Sequence, residues 1–332
     1  ARKTITPPLG TYLIGYADRS SGCRSVHDDL TATALVLDDG TRQLVLIALD
    51  MLVLNERIVA RVRAGLAERW GIPGEGVMVC CSHTHSGPIA YADSKSKRRN
   101  RQFIDGLVEV LVATVGEAAA GRQPAATAWG RGEVQIAINR RQLLPDGTMT
   151  IGTNPDGPVD RSLLVLQVRR KQDNQPLVTL ANLACHATTL GPTSYVVSAD
   201  WPGAMRREVE AATGAPCMFL QGATGNQNPN HEWGQDDLAA MERIGEEVAE
   251  QVLNLLPGLQ PFAPTPLLSQ VETVWLPIVP QMKSDGKRSR TYREVLAREA
   301  GVPRFMVDWI LKARYPWKTA LAQRDGRWYA LM

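Results

Sequence analysis

Leu44 Val45 Leu46 Ile47 Ala48 Leu49 Asp50 decides the fold class. A continuous apolar run of this length, with no polar alternation, suits a strand covered on both faces. Asn55 then stands where a helix N-cap is needed, and Ile58, Val59, Val62, Leu66 and Trp70 recur at helical spacing from Glu56 until Gly71 stops the segment. A strand that feeds directly into an amphipathic helix is the building unit of an α/β layered fold.

Outward from this unit the alternation continues. Val77 to Cys81 reads as a second strand, and Phe103 to Ala120 as a second helix with Ile104, Leu107, Val108, Leu111 and Val115 on its apolar stripe. The middle third is β-rich: Ala125 to Asn139, a turn at Pro145 Asp146 Gly147, then Leu163 to Val168 and Leu177 to Cys185. Asp200 caps a further helix whose first turn holds Pro202, where proline's missing donor costs nothing. Strand Cys217 to Gln221, a glycine-rich loop and a helix from about Gln235 to Leu256 follow, the helix turning Leu238, Met241, Ile244, Val248 and Val252 inward. The order predicts an α/β layered fold with a mixed β-sheet flanked by helices and an active site at the carboxyl ends of strands. His83 follows one strand, His186 another, and the Gln221 to Asn230 loop a third.

The 332 residues are 44% hydrophobic and 21% charged, enough for a sizeable core, and 37 basic against 34 acidic residues leave a formal charge of only +3. That balance implies neither nucleic acid nor an anionic membrane surface as partner. The basic run from Lys95 to Arg101 is expected to be a solvated loop leading into a helix near Gln102. No run of 18 apolar residues predicts membrane insertion, and no signal peptide opens the sequence at Ala1. Cys23, Cys80, Cys81, Cys185 and Cys217 read as small buried hydrophobes that match no zinc ribbon or finger, with one disulfide left open.

Four prolines between Pro257 and Pro266 mark a linker. The reading is therefore one domain over 1–256 and a C-terminal extension over 257–332 that completes it. The extension is expected to hold a strand near Leu268 to Leu276, a basic stretch at Lys283 to Arg293, and helices near Tyr292 to Ala300 and Pro303 to Ala313. It ends on the apolar run Arg327 to Met332 with no cap, as if the natural chain continued.

The chemistry concentrates in Ser82 His83 Thr84 His85 Ser86 Gly87 Pro88. In an extended segment alternate residues face the same side, about 7 Å apart. Both imidazoles then face one site, and imidazole is the commonest protein ligand for zinc. A pair of surface histidines in a Ser-Gly-Pro turn would look the same.

Further segments separate the two readings. Ile5 to Gly10 with Gly15 Tyr16, the histidine segment, Asn139 Arg140, His186 Ala187 Thr188 Thr189, Ser198 to Gly203, and Gln221 to Pro229 occur in an order that resembles the neutral/alkaline ceramidase family over about residues 3–230. The resemblance implies a zinc-dependent hydrolase that cleaves an amide, with His83 and His186 as zinc ligands, His85 as a substrate or transition-state contact, and Arg140 holding a substrate oxygen. Chemically, zinc, water and Arg140 would supply the polarising cation, nucleophile and oxyanion donor that such a cleavage needs.

Two departures shape the expectation. The family's serine nucleophile stands immediately after the loop glutamine, where this chain has Gly222, and its Gly-Asp pair is here Gly225 Asn226. Covalent catalysis from position 222 is thereby excluded. The family's remaining zinc ligands, a glutamate and a tyrosine, have no match before Met332, so a second chain or a further C-terminal segment would have to complete the site. The expected function is zinc-dependent hydrolysis, through metal-activated water, of an amide or related acyl bond in a small-molecule substrate other than ceramide.

Plainer roles compete for each residue. Asp200 is a helix N-cap first and a proton acceptor second; Arg140 and Arg141 could be a solvated pair; Gly222 and Gly225 could be turn glycines that also let backbone amides, with Asn226, approach a substrate anion. His27 and His231 are read as structural. Two other functions stay open: a two-metal phosphoesterase using Asp50, His83, His85 and Asn230 His231 Glu232, although the motif order is wrong for one, and a catalytically inactive ceramidase-like binding protein. The compartment is open as well, since family members are often exported while buried unpaired cysteines suit the cytoplasm equally.

Overall fold

A computed structural model of the chain describes residues 1–16, 18–88, 97–145, 149–234, 237–262, 265–271, 275–278, 321–324 and 327–331. They fall into two compact units, Ala1–Ala137 with Val159–Ser269, and Ile138–Pro158 with Gln270–Met332.

In chain order the elements are β1 (Arg2–Thr4), β2 (Ser25–Val26), β3 (Thr31–Asp38), β4 (Gln43–Leu49), α1 (Glu56–Trp70), β5 (Val77–Cys81), α2 (Lys97–Ala120), β6 (Ala125–Glu133), β7 (Ala137–Leu143) and β8 (Met149–Asn154). There follow β9 (Ser162–Arg170), β10 (Pro176–Leu183), β11 (Val196–Val197), α3 (Trp201–Thr213), β12 (Cys217–Gln221), β13 (Gln227–Pro229), α4 (Asp237–Leu255), β14 (Gln260–Pro261), β15 (Trp275–Ile278), β16 (Leu321–Arg324) and β17 (Arg327–Leu331).

The first unit is built on two mixed sheets, not the one sheet expected from the sequence. One has the order β1-β3-β4-β5 and the other β12-β10-β9-β6-β14. In β4, Val45, Ile47 and Leu49 pack with Val62 and Leu66 of α1 and Leu111 of α2, while Leu46 and Ala48 turn to the other side and meet Val168, Leu180 and Met218 of the second sheet. Phe219, Ala181 and Val165 on the far face of that second sheet pack with Trp201 of α3 and Val248 of α4. The layers therefore run helix, sheet, sheet, helix. This explains why Leu44 to Asp50 carries no polar alternation: both of its faces are covered.

The same order of elements occurs twice. An antiparallel hairpin (β3-β4, β9-β10) leads into a helix (α1, α3), then a strand parallel to the second hairpin strand (β5, β12), then another helix (α2, α4). Leu49 pairs with Cys81 in the first half and Leu183 with Gln221 in the second. The residue after each parallel strand donates back in the same way, Ser82 N to Leu49 O at 2.8 Å and Gly222 N to Leu183 O at 2.9 Å.

Local signals set most boundaries. Asn55 Oδ1 accepts from Ile58 N at 3.0 Å, and Gly71 closes α1 in the left-handed conformation at φ 65°. Several elements depart from the sequence reading. The strand expected near Leu268 to Leu276 is one: residues 268–271 hold no strand, and β15 starts at Trp275. Helix α2 begins at Lys97, so most of the basic run expected to be loop lies in its first turns. β8 had too little apolar alternation to be recognised. The start of the proline-rich linker forms an edge strand, with Pro261 opposite Ala128 at the rim of the second sheet, where its missing N–H is tolerated. The basic stretch at 283–293 and the two helices expected over 292–313 lie outside the described residues.

All five cysteines are free thiols, which closes the disulfide option left open above. Burial pushes Cys81 and Cys217 up to about 12, as inert core thiols behave. Among the described residues no helix is long and apolar enough to cross a membrane.

In the second unit β7 and β8 form an antiparallel hairpin with a register shift between Asn139 and Arg141. Asn139 is buried there, its Nδ2 donating to Pro158 O at 2.8 Å and its Oδ1 accepting from Arg141 N at 2.8 Å. β17 pairs antiparallel with both β15 and β16.

Candidate metal centre at the ends of the parallel strands

The parallel pairs β4-β5 and β10-β12 end at one place, and there the chain brings three imidazoles together. The ring centroids of His83 and His186 lie 4.8 Å apart, those of His83 and His85 5.4 Å, and those of His85 and His186 5.7 Å. One ligand atom from each lies within 4.8 Å of the others.

The histidine segment is not extended, as the sequence reading assumed. β5 ends at Cys81, and His83 takes a left-handed conformation with φ 65°. A non-glycine residue there carries backbone strain of roughly 1–3 kcal/mol. The strain is held by two bonds to the segment after β4: His83 N donates to Met51 O at 2.9 Å, and His83 Nδ1 to Leu52 O at 2.8 Å. Ser82, Thr84 and Ser86 are buried on the protein side, leaving His83 and His85 as the partly exposed members of the alternation.

A ring nitrogen facing a carbonyl must carry the proton, so Nδ1 of His83 is the N–H and its Nε2 keeps the lone pair. His186 is set the same way. Its Nδ1 lies 2.8 Å from Thr224 O and 3.0 Å from Gln227 O, both acceptors from the loop after β12. Two neutral imidazoles, each tied at Nδ1 and each presenting Nε2, have the tautomer and orientation that metal-binding histidines show.

His85 is positioned by packing. Its ring meets Tyr16 at 4.9 Å, and Tyr16 is held by its hydroxyl donating to Leu190 O at 3.0 Å and by the edge of Trp233 at 5.5 Å. Buried Arg19 lies over the Tyr16 ring, its guanidinium 4.7 Å from the centroid, and donates to the carbonyls of His85, Ile14 and Gly191. Gly15 makes the approach possible: at φ 118°, a Cβ there would fall 2.5 Å from His85 Cγ and Nδ1. Gly15→Ala is therefore expected to cost more than about 1 kcal/mol, seen as a lower urea midpoint, and to push His85 out of the cluster.

Asp200 is the second strained residue beside the cluster, with φ 59° and ψ −163°, a region nearly reserved for glycine. It caps α3 by accepting from Trp201 N at 2.8 Å, and it holds the loop after His186 by accepting from Thr189 N at 3.2 Å and Leu190 N at 3.1 Å. Burial pushes its carboxyl up, and those amide donors pull it back. With three backbone donors and 1% exposure, it anchors the loop.

The glycine-rich loop departs from the expected roles. Gly222 has spent its amide on Leu183, and a Cβ there would lie 2.9 Å from Ala184 Cβ, so the space beside Gln221 is filled by Ala184. A Cβ at Gly225 would meet nothing within 4 Å, and Asn226 beside it is half-buried. Arg140 lies on β7 of the second unit, whereas this centre is built from the first unit alone.

Asp50, considered above for a second metal, is fully buried and bonded to Arg206 Nη2 at 2.8 Å and to Thr31. His231 is paired with Asp237 at 2.9 Å, and His27 with Asp28 at 2.9 Å. Sequence reasoning gave no role to Tyr16, Thr224 and Gln227, although they lie in the quoted segments, and it passed over Arg19. Their contributions are a packing surface, carbonyl acceptors and a guanidinium that donates to carbonyls, which leave no compositional mark.

Three neutral imidazoles suit zinc, which takes three histidines and keeps a fourth position open in catalytic sites. Tetrahedral zinc with bonds of about 2.0–2.1 Å needs nitrogens about 3.4 Å apart. Donor atoms within 4.8 Å are a small side-chain adjustment from that spacing.

Comparison with known proteins gives the family and the fold. Residues 2–235 match the family described as neutral/alkaline non-lysosomal ceramidase, N-terminal. The chain is 22% identical over 263 residues to the neutral ceramidase of Pseudomonas aeruginosa, an alignment covering 75% of this chain and 36% of that protein. The crystal structure of neutral ceramidase from Pseudomonas aeruginosa superposes with a TM-score of 0.65 and 20% identity, over 77% of this chain and 44% of the other. A ceramidase complexed with C2 gives 0.66 and 22%, over 77% and 43%. The fold is shared, and the chain spans well under half the length of these relatives.

Proposed function

The chain belongs to the neutral/alkaline non-lysosomal ceramidase family, and from that premise we propose that it is a zinc-dependent hydrolase that opens an amide or related acyl bond of a substrate other than ceramide. The observation that carries this reading is the convergence of His83, His85 and His186, with two of the three fixed as Nδ1–H tautomers by carbonyls. Zinc bound there would polarise an acyl carbonyl and activate water near neutral pH.

The chain's own residues do the rest. His83 and His186 present Nε2 from opposite halves of the fold, and His85 supplies the third donor from its place between Gly15 and Tyr16. This assignment moves His85 from substrate contact to ligand and leaves one position open, so no further protein ligand is required. The loop Gln221 to Asn230 contains no serine, and Ala184 fills the space beside Gly222. Water is therefore the nucleophile. Asp200 keeps the loop after His186 in place. A two-metal reading has no support, because among the described residues the only metal-capable group is all histidine.

The test is hydrolysis of a panel of N-acyl amides, ceramide and phosphate monoesters by metal-stripped and zinc-restored protein. Turnover of an N-acyl substrate that returns with one equivalent of zinc is expected, with ceramide and phosphate esters untouched. Undiminished turnover in stripped protein sinks the metal role, and preference for phosphate esters sinks the reaction class.

A further inference from the structure

We propose that Gln221 is a positioning residue that fixes the separation of His83 and His186 by holding, with a single side-chain amide, the carbonyls of the residues immediately before each. The proposal rests on the metal-site reading above.

Gln221 Nε2 donates to Ser82 O at 2.9 Å and to Cys185 O at 2.8 Å, and its Oε1 accepts from Cys185 N at 3.2 Å. Ser82 precedes His83, and Cys185 precedes His186. The two histidines come from different sheets and different halves of the fold, and no backbone ladder joins β5 to β10. Apolar packing between the sheets is non-directional, and the backbone bond between the two segments, His85 N to Ala187 O at 3.1 Å, joins residues that follow the two histidines. Two hydrogen bonds from one planar NH2 group, by contrast, set the distance between their acceptors to within a few tenths of an ångström.

The second half of the fold is shaped to let this happen. Gln221 is the last residue of β12, at the position that Cys81 holds in the first half, and its own N–H points at Cys80 Sγ at 3.3 Å across the sheets. Gly222 lies so close to Ala184 that a Cβ would be 3.1 Å from Ala184 N and Cα. That close approach brings the glutamine within reach of Cys185. Two of the side chain's three bonds therefore go to the His186 segment and one to the His83 segment.

Removing second-shell partners of metal ligands typically weakens metal binding about 10–100-fold. The test is titration of the whole chain with Zn2+, and with Co2+ followed by its visible d–d spectrum, for wild type, Gln221→Met and Gln167→Met. Gln167 is a buried glutamine on β9 whose amide donates to Thr179 Oγ1 at 3.0 Å, away from the histidines, and it controls for general loss of stability. Q221M is expected to raise the dissociation constant about 10–100-fold and to shift the Co2+ spectrum. Q167M should lower the urea midpoint while leaving both unchanged. Gln221→Asn, which keeps the amide but is one methylene too short to span both carbonyls, should move metal binding in the same direction and serves if Q221M does not fold. Q221M or Q221N with wild-type affinity and spectrum overturns the proposal. A wild-type chain that binds neither metal overturns the metal-site reading itself, an outcome visible before any variant is made.

Discussion

His186→Ala is expected to lower zinc affinity by more than the roughly 100-fold that loss of a second-shell partner costs, and to reduce metal-dependent turnover on the order of 10³-fold or more. His186 is buried at 3% exposure, and its Nδ1 is tied to Thr224 and Gln227, so the ring cannot be replaced by a shifted neighbour. His83→Ala should behave alike, with one difference. His83 holds a strained left-handed backbone, and alanine there loses the imidazole bond to Leu52 that helps to keep it. The cleanest discriminator is His85→Ala. If His85 is the third ligand, metal affinity falls with activity; if it only contacts substrate, zinc and Co2+ bind as in wild type while turnover is lost. Isothermal titration with each metal, run beside a turnover assay, reads both.

Arg206→Met is expected to destabilise the fold by about 3–5 kcal/mol, measured by urea unfolding, because it strands a buried carboxylate. Asp50 is fully buried and Arg206 is 7% exposed, with 2.8 Å between Asp50 Oδ2 and Arg206 Nη2. The same oxygen accepts from Thr31 N at 2.8 Å and Thr31 Oγ1 at 2.9 Å, too few donors to stabilise an unpaired buried charge. The double variant Asp50→Leu with Arg206→Met should recover most of the loss, since removing both charges removes the desolvation penalty with them. A single variant as stable as wild type would show that the pair contributes nothing. The pair also bears on the metal centre. Asp50 directly follows β4, and the next residues, Met51 and Leu52, hold His83, so the single variant should weaken zinc binding as well.

Much of this was legible from local sequence. Asn55 and Gly71 bracket α1, Val77 to Cys81 and Cys217 to Gln221 coincide with β5 and β12, and Asp200 caps α3, because caps and short apolar runs act through bonds and contacts within a few residues. Family membership was legible too, from six short segments in order, and the family model matches residues 2–235. β8 escaped because a strand such as Met149–Asn154 is stabilised by its partner β7 more than by its own composition. The placement of His85 beside His83 and His186 was obscured for a different reason: the reading assumed an extended backbone, and the left-handed turn at His83 reorients the pair.

By itself the sequence determined the α/β class, the main core strands and the four long helices, and which residue types could carry chemistry, because hydrophobic period, capping and imidazole basicity are properties of neighbouring residues. Only the tertiary structure decided that there are two sheets face to face, that His85 joins His83 and His186, and that Gln221 spans the carbonyls before two of them. Those facts depend on contacts between residues more than one hundred positions apart, created when two parallel strand pairs end side by side. No local pattern encodes where two such ends will meet.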